Sequence, residues 1–532
     1  MRATFYGLDI ANKGLFVAQR NIDVTAHNVS NVNTEGYTRQ RFVQASVDPM
    51  AMYHRFAPVD QGAIGGGVRT KTLDQIRDLF LDRQYRNENT KTQYWETRSN
   101  ALYYIEDVFN SIDENSLDGI MASFFNAIQE LSKNPTDKAI RKNVEQSALK
   151  MTDVMHMYAD QLTDLMLQQD LQVVEQVKQV NEMLDQMAVL NDHIFKFELC
   201  GQPANDLRDK RNLLLDRLSG MMNINYVEEV AYAEDDVDHE RPLMDLNGVP
   251  LTRLKLWVGS STEDEFLLVD HIDAFHLYCE QDASNYVLDN LSTERDVSLL
   301  HSVYLASDTE LHPDEVEGLF GGSILSCLDL RDGLEPNKQG IPYFMQQLDV
   351  FVGAFVREFN EVHRQGWTMP YDGFSSETGV DFFDASRQYA FNFSLSEEVL
   401  ENPFNIAASS VQVIMDAIDH LETGNNENVL ALIAHVRERT DLDDVGSFEG
   451  YYRSFLGALA SEVAHANEMT QSQYVLTDSL ESQRVSVSGV SVDEEMTNMI
   501  RFQHAYSAAA RTITAMDEAL DVLINRTGRV GL

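Results

Sequence analysis

An apolar repeat of seven at each end of the chain constrains its fold more than any other feature. Near the N-terminus, Leu8, Leu15, Ile22 and Val29 recur at one heptad position, with Ala11, Ala18, Thr25 and Val32 at the other. Near the C-terminus, Met499, Tyr506, Ile513 and Leu520 recur at one position, with Phe502, Ala509, Met516 and Leu523 at the other. Such a repeat builds a helix with one adhesive seam, which needs another helix to cover it. Helices are therefore expected over about 5–32 and 492–526, paired as a coiled-coil-like core. "NTEG" (Asn33–Gly36) stops the first, because glycine takes the left-handed conformation that closes a helix. Asn28, Asn31 and Asn33 can bond backbone groups as the helix unwinds.

Charge separates these ends from the rest. The whole chain of 532 residues carries −44, yet residues 1–47 carry +2 and residues 498–532 carry +1, which leaves −47 on the remainder. Near-neutral ends fit surfaces that pack against copies of themselves, where like charges would accumulate. The acidic excess disfavours nucleic acid and anionic membrane as partners, since phosphate binding needs clustered cations. No apolar run of eighteen residues spans a membrane, and the N-terminus lacks the pattern of a cleaved secretory signal.

Between the ends the pattern is nested. Residues 37–72 read as extended and loop structure, and helix follows over 73–110, 116–132, 137–168 and 169–199. Val173, Val177, Val180, Leu184, Met187 and Ile194 keep heptad spacing, interrupted by Asn191. A short return helix follows "GQPAND" (Gly201–Asp206). From 225 to 320, β-branched residues, turn signals and an acidic run mark a β-rich insertion. Helix resumes near 322 and 341, residues 367–446 are mixed, and 447–491 is helical again. The fold class is thus mainly α with an inserted β-rich domain. Its segments are 1–36 as an assembly helix pairing with 492–532, 37–224 and 447–491 as a helical domain, 225–320 as an outer domain, 321–366 as a helical return and 367–446 as a mixed segment.

Catalysis is not expected. The chain has no phosphate loop, dinucleotide fingerprint, HExxH, CxxC or GxSxG, so no catalytic residue, cofactor or metal is assigned. The acids Glu234, Asp235, Asp236 and Asp238 lack the glycine and spacing of a calcium loop and read as a solvated linker. Cys200, Cys279 and Cys327 are far apart and odd in number, which fits free buried thiols.

The terminal motifs point further. "GLFVAQRNIDVTAHNVSNVNTEGYTRQR", with Asn28, Asn31, Asn33, Gly36, Tyr37, Arg39 and Gln40, resembles the N-terminal motif of the flagellar rod, hook and hook-associated axial proteins. The Arg39–Gln40 pair after Gly36–Tyr37 is similar to the hook–filament junction members of that family. "SGVSVDEE" (Ser488–Glu495, with Gly489, Asp493, Glu494 and Glu495) and "QHAY" (Gln503–Tyr506) resemble the family's C-terminal motif. The resemblance covers about 3–222 and 320–526 and is weak over 225–320.

It implies a structural role: a ring of subunits that joins hook to filament and templates further junction protein and flagellin. The implied partners are other copies of the chain, the hook protein, a second hook-associated junction protein and an export chaperone at the C-terminal helix. The implied location is the extracellular flagellum, reached by flagellar type III export. Self-assembly would fall on Leu8, Leu15, Ile22, Val29, Met499, Phe502, Tyr506, Ile513, Met516, Leu520 and Leu523. Burial at these seams and the entropy of ordering the ends oppose each other, so the ends are expected to order when copies meet. The alternatives are another axial protein (hook or second junction protein) or a secreted adhesin or hydrolase carried by 225–320.

Overall fold

The computed structural model describes residues 6–48, 65–109, 116–232, 242–259, 266–281, 301–305, 321–336, 338–371, 375–415, 420–421, 423–437 and 446–526. In chain order, α1 (Tyr6–Ser30) leads into the hairpin β1 (Gln40–Ser46) and β2 (Val68–Gln75). Then come α2 (Leu79–Phe109), α3 (Leu117–Lys133), α4 (Lys138–Leu199) and α5 (Asn205–Met221). Strands follow: β3 (Ile224–Val230), β4 (Thr252–Val258), β5 (Leu267–Asp270), β6 (Asp273–Ala274), β7 (Leu277–Gln281) and β8 (His301–Leu305). The chain closes with α6 (Gly322–Asp332), α7 (Ile341–His363), α8 (Phe448–Ser488) and α9 (Val492–Asp521), with short helical turns between α7 and α8. No helix among the described residues is long and apolar enough to cross a membrane.

Two helices depart from the sequence reading. Residues 138–199 form one helix of 62 residues, roughly 93 Å long, rather than two in succession. No glycine or proline interrupts it, so nothing in the backbone calls for a break. Residues 73–75 belong to a strand instead of the next helix: Leu73 pairs with Phe42, and the hairpin register runs from Gln40 opposite Gln75 to Ser46 opposite Val68. The alternating threonines of "VRTKT" favour the pleated form. The acids Glu234, Asp235, Asp236 and Asp238 lie outside the described residues. Cys200 is exposed, Cys279 half-buried and Cys327 buried. Burial pushes the Cys279 thiol up to about 11 and the Cys327 thiol up to about 12.

The chain divides into two compact units. The first takes Met1–Thr90, Val180–His276 and Gln473–Leu532, and so holds both ends of the chain. Its sheet is antiparallel in the order β3-β4-β5-β6. Asn191, the polar break in the α4 seam, is buried there but fully engaged: Nδ2 donates to the His271 carbonyl (2.7 Å), and Oδ1 accepts from Arg211 (3.0 Å).

The second unit, Lys91–Gln179 and Leu277–Ser472, contains β7, β8 and a continuous apolar core. Phenylalanines dominate it: Phe124, Phe355, Phe359, Phe382, Phe383 and Phe393 are buried with ring centroids 4.8–6.5 Å apart along their contacts. Such tilted and edge contacts add to the burial of apolar surface. Three polar side chains sit in this core bonded to backbone groups. Asn360 donates to the Phe383 carbonyl and accepts from the Phe382 and Phe383 amides. Arg141 donates to the carbonyls of Pro135 (2.7 Å) and Ile406 (2.6 Å), and burial pushes its guanidinium down to about 10. His363 bonds the Val380 carbonyl through Nδ1 (2.8 Å), while Nε2 accepts from the Ala407 amide (2.8 Å).

That arrangement fixes His363 as a neutral ring protonated at Nδ1, because Nε2 must keep its lone pair. Burial pushes its pKa down to about 4, against 6.5 in an exposed ring. The unfolded chain therefore binds a proton between pH 6.5 and 4 that the folded chain refuses. Stability is full above 6.5 and declines as pH falls toward 4, by at most about 1.4 kcal/mol per pH unit. Urea unfolding followed at pH 7, 6, 5 and 4.5 should show a shallower decline in His363→Gln than in the parent chain; equal slopes would remove His363 as the cause.

Candidate assembly site

Helices α1 and α9 pack antiparallel within the first unit. At one end a side chain at Gly7 would collide with Met516, and at the other Asn28 bonds Glu495. On α1 the buried line is Ala11, Val17, Ala18, Asn21, Thr25 and Asn28. Leu8, Leu15, Ile22 and Val29 flank that line and are half-buried. The buried side chains are mostly small, so the two backbones approach closely. On α9 the half-buried stripe includes Met499, Phe502, Tyr506, Ile513, Met516 and Leu520, as the repeat of seven places it. Leu523 is 57% exposed, in the π-helical turn Val522–Arg526 beyond α9.

Where α1 ends, a polar node joins four stretches of chain. Asn28 is 1% exposed and uses every hydrogen-bonding position of its amide. Its Nδ2 donates to the Gln40 carbonyl (3.0 Å) and to Glu495 Oε2 (3.1 Å). Its Oδ1 accepts from the Gln40 amide (3.1 Å) and from Tyr37 Oη (2.8 Å). Since the phenol donates to Asn28, its oxygen receives the proton of His27 Nδ1 at 2.9 Å. Burial and the carboxylates of Asp206, Asp209 and Glu495 push the Tyr37 pKa up, so this donor is kept.

Arg39 ties the node to α9. Its guanidinium reaches Glu495 Oε1 (Nε, 2.9 Å) and both oxygens of Glu494 (2.7 and 3.1 Å). Its amide donates to the Ser488 carbonyl (2.9 Å), and its own carbonyl accepts from Ile76 (2.8 Å). Glu495 is 2% exposed, and it is the one buried side chain of α9 among the described residues. The Arg39 hydrogen bond pulls the pKa of exposed Glu494 down.

Gln40 extends the node to α5, donating to Asp206 (2.7 Å) and accepting from Asn205 (3.2 Å). Asp209 accepts from the Thr38 amide (2.9 Å) and from Gln75 (2.8 Å), and burial pushes its carboxyl up to about 6. Two glycines shape the turns. Gly36 takes φ +75°, and at Gly489, between α8 and α9, a Cβ would lie 2.4 Å from the Val485 carbonyl oxygen.

Of the motif residues, Asn28, Tyr37, Arg39, Gln40, Ser488, Glu494 and Glu495 thus converge. Asn31 instead bonds the His27 carbonyl of its own helix, and Asn33 and Asp493 are exposed. Thr38, Gln75, Asn205, Asp206 and Asp209 complete the site without having been singled out from sequence. The one local signal is the unusual density of polar groups where "NDLRD" opens α5.

The terminal helices and the node they share fall where the chain matches families of flagellar proteins. Residues 8–38 match the family described as flagella basal body rod protein, and 481–526 match the basal body rod FlgEFG protein C-terminal family. Residues 102–251 match the flagellar hook-associated protein FlgK helical domain. The chain is 31% identical to flagellar hook-associated protein 1 of Bacillus subtilis (strain 168), over 99% of both chains. It is 23% identical to that of Escherichia coli (strain K12), over 97% of this chain and 98% of the other. The solved flagellar hook junction protein FlgK from Burkholderia pseudomallei shares the fold, with a TM-score of 0.55 at 13% identity over 76% of this chain and 100% of that one. The chain belongs to the flagellar hook-associated protein 1 family. It is mainly α-helical with inserted β-structure, and its relatives are structural proteins of the flagellum.

The node makes a stability prediction. Asn28→Ala strands the Gln40 amide and carbonyl, at about 1–3 kcal/mol for each unsatisfied group. Arg39→Ala leaves Glu495 buried without its cation, at about 3–5 kcal/mol. Asn33→Ala, at an exposed site, should stay within about 0.5 kcal/mol of the parent. Chemical denaturation read by a probe in the first unit checks the order; equal stabilities for Asn28→Ala and Asn33→Ala would contradict it.

Proposed function

We propose that this chain is a subunit of a ring that joins the flagellar hook to the filament and templates the next junction protein and flagellin. Membership of the family supports the junction role. One observation carries the assembly step: α9 has an apolar stripe of six large side chains, yet its one buried side chain among the described residues is Glu495. A helix with Met499, Phe502, Tyr506, Ile513, Met516 and Leu520 half-covered by α1 has apolar surface left for a neighbour. Residues 1–36 and 492–532 act as the assembly helices, and copies meet through these near-neutral ends, which together carry −2, away from the −42 carried elsewhere. The hook protein and a second hook-associated junction protein are the adjoining partners. Export proceeds through the flagellar type III channel, with a chaperone covering the C-terminal helix until assembly.

Burial of each Leu or Ile contributes roughly 1.5–3 kcal/mol, and a charge placed in that position forfeits it. Leu15→Asp and Ile513→Asp should therefore be exported and soluble but absent from flagella, and the cells should carry hooks without filaments and shed flagellin. Electron microscopy of complemented deletion strains reads this, and normal filaments on cells carrying both variants would refute the seam. In the isolated chain, limited proteolysis should trim both ends before the phenylalanine core.

A further inference from the structure

We propose that Glu358, Glu361 and His435 bind one divalent transition-metal ion of the zinc class. The second unit brings them together from two elements. On α7, Glu358 and Glu361 are three residues apart and therefore share a face. His435 reaches them from the π-helical turn Ile433–Arg437, where the extra residue per turn re-aims side chains relative to an α-helix. His435 Nε2 stands 3.0 Å from Glu358 Oε2, and one donor atom from each of the three residues lies within 4.8 Å of the others.

The electrostatics favour a cation. Both carboxylates occupy the last two turns of α7, which ends at His363, and the aligned peptide dipoles give that end of a helix negative potential. Glu358 is only 7% exposed, so its charge is poorly screened by water. Arg357, half exposed, approaches Glu358 no closer than 3.7 Å. A bare His435–Glu358 ion pair would leave Glu361 facing a like charge and the helix end.

The donor set narrows the ion. One imidazole nitrogen with two carboxylates suits zinc, cobalt or manganese, whereas magnesium and calcium prefer shells of oxygen alone. Bonds of about 2.0–2.2 Å put adjacent donors about 3.3–3.5 Å apart, close to the present Glu358–His435 spacing. Glu361 is exposed and can close the remaining distance by rotation, leaving a fourth position for water. The ion would clamp the 433–437 turn onto α7. This reading is independent of the assembly helices.

Chelator-stripped full-length chain titrated with Co²⁺ alone tests the site. One equivalent should bind with a visible ligand-field band and raise the Tm, and equimolar Mg²⁺ should not compete. His435→Gln and Glu361→Gln should each lose the band and weaken binding by roughly tenfold or more. His276→Gln, an exposed histidine paired with Asp185 in the other unit, should keep both. Glu361 is solvent-facing, so its variant folds, and unchanged Co²⁺ affinity in Glu361→Gln would overturn the proposal. So would the absence of saturable binding in the parent chain, or equal competition by Mg²⁺.

Discussion

The contact between the chain's two ends depends on a buried carboxylate. Glu495 is held by Arg39 and Asn28, and Asn28 in turn grips both backbone groups of Gln40. The apolar part of the α1–α9 contact could not set register alone. Its α1 side is made largely of Ala11, Ala18 and Thr25 beside Gly7, so a slip of two turns, one heptad, would exchange one small side chain for another at little cost. The same slip would carry Glu495 away from Arg39 and leave a buried charge and two backbone groups unpaired. Each of those penalties exceeds the difference between neighbouring apolar registers. Adhesion comes from the seam, and uniqueness comes from the node.

The polar style continues through the first unit. Arg484 on α8 lies 2.9 Å from Asp216 of α5, also pairs with Glu481, and stacks 4.2 Å above the Tyr85 ring of α2. Arg86 of α2 reaches Asp216 as well, at 2.7 Å. Arg208 of α5 pairs with Glu198 of α4 and Glu228 of β3. Long helices with sparse apolar cross-contacts are thus located by directional charge pairs. The second unit works differently: tilted and edge-on phenylalanine contacts supply its cohesion, and buried Arg141, Asn360 and His363 are held by backbone partners.

The sequence was most legible where one physical rule acted alone. On α9 the seam positions from Met499 to Leu520 are apolar and half-buried, so the repeat of seven marks the covered side there, while Leu523 lies exposed beyond it. On α1 the same template includes Ala11, Ala18 and Thr25, which are buried, and Leu15 and Ile22, which are half-buried, but it passes over Asn21 and Asn28, which are buried as well. Hydrophobic periodicity discards asparagine, and here close approach rewards small residues and two asparagines. The node was legible only in part. Asn28, Arg39, Gln40, Glu494 and Glu495 stand in recognisable terminal motifs, but Asp206 and Asp209 come from a helix more than 160 residues away. No local pattern announces that Asp209 will be buried against the Thr38 amide and Gln75, or that Asp206 will accept from Gln40. The undivided α4 escaped for a simpler reason: no glycine or proline lies within it, so nothing along the chain marked where one helix would end and another begin.

Small-on-large packing is also the physical basis of the assembly proposed above. Short side chains on α1 let its backbone approach α9, but they are too short to wrap around Phe502, Tyr506 or Met516. The closer the two helices come, the more of each large side chain projects past the contact. A larger α1 seam would have covered α9 within one chain and removed the need for a neighbour. The chosen geometry instead gives an intramolecular pair with a fixed register and an apolar margin left outside it. Because the only buried charge on α9 is already neutralised by Arg39, a second helix docking on that margin would meet no uncompensated carboxylate in the groove.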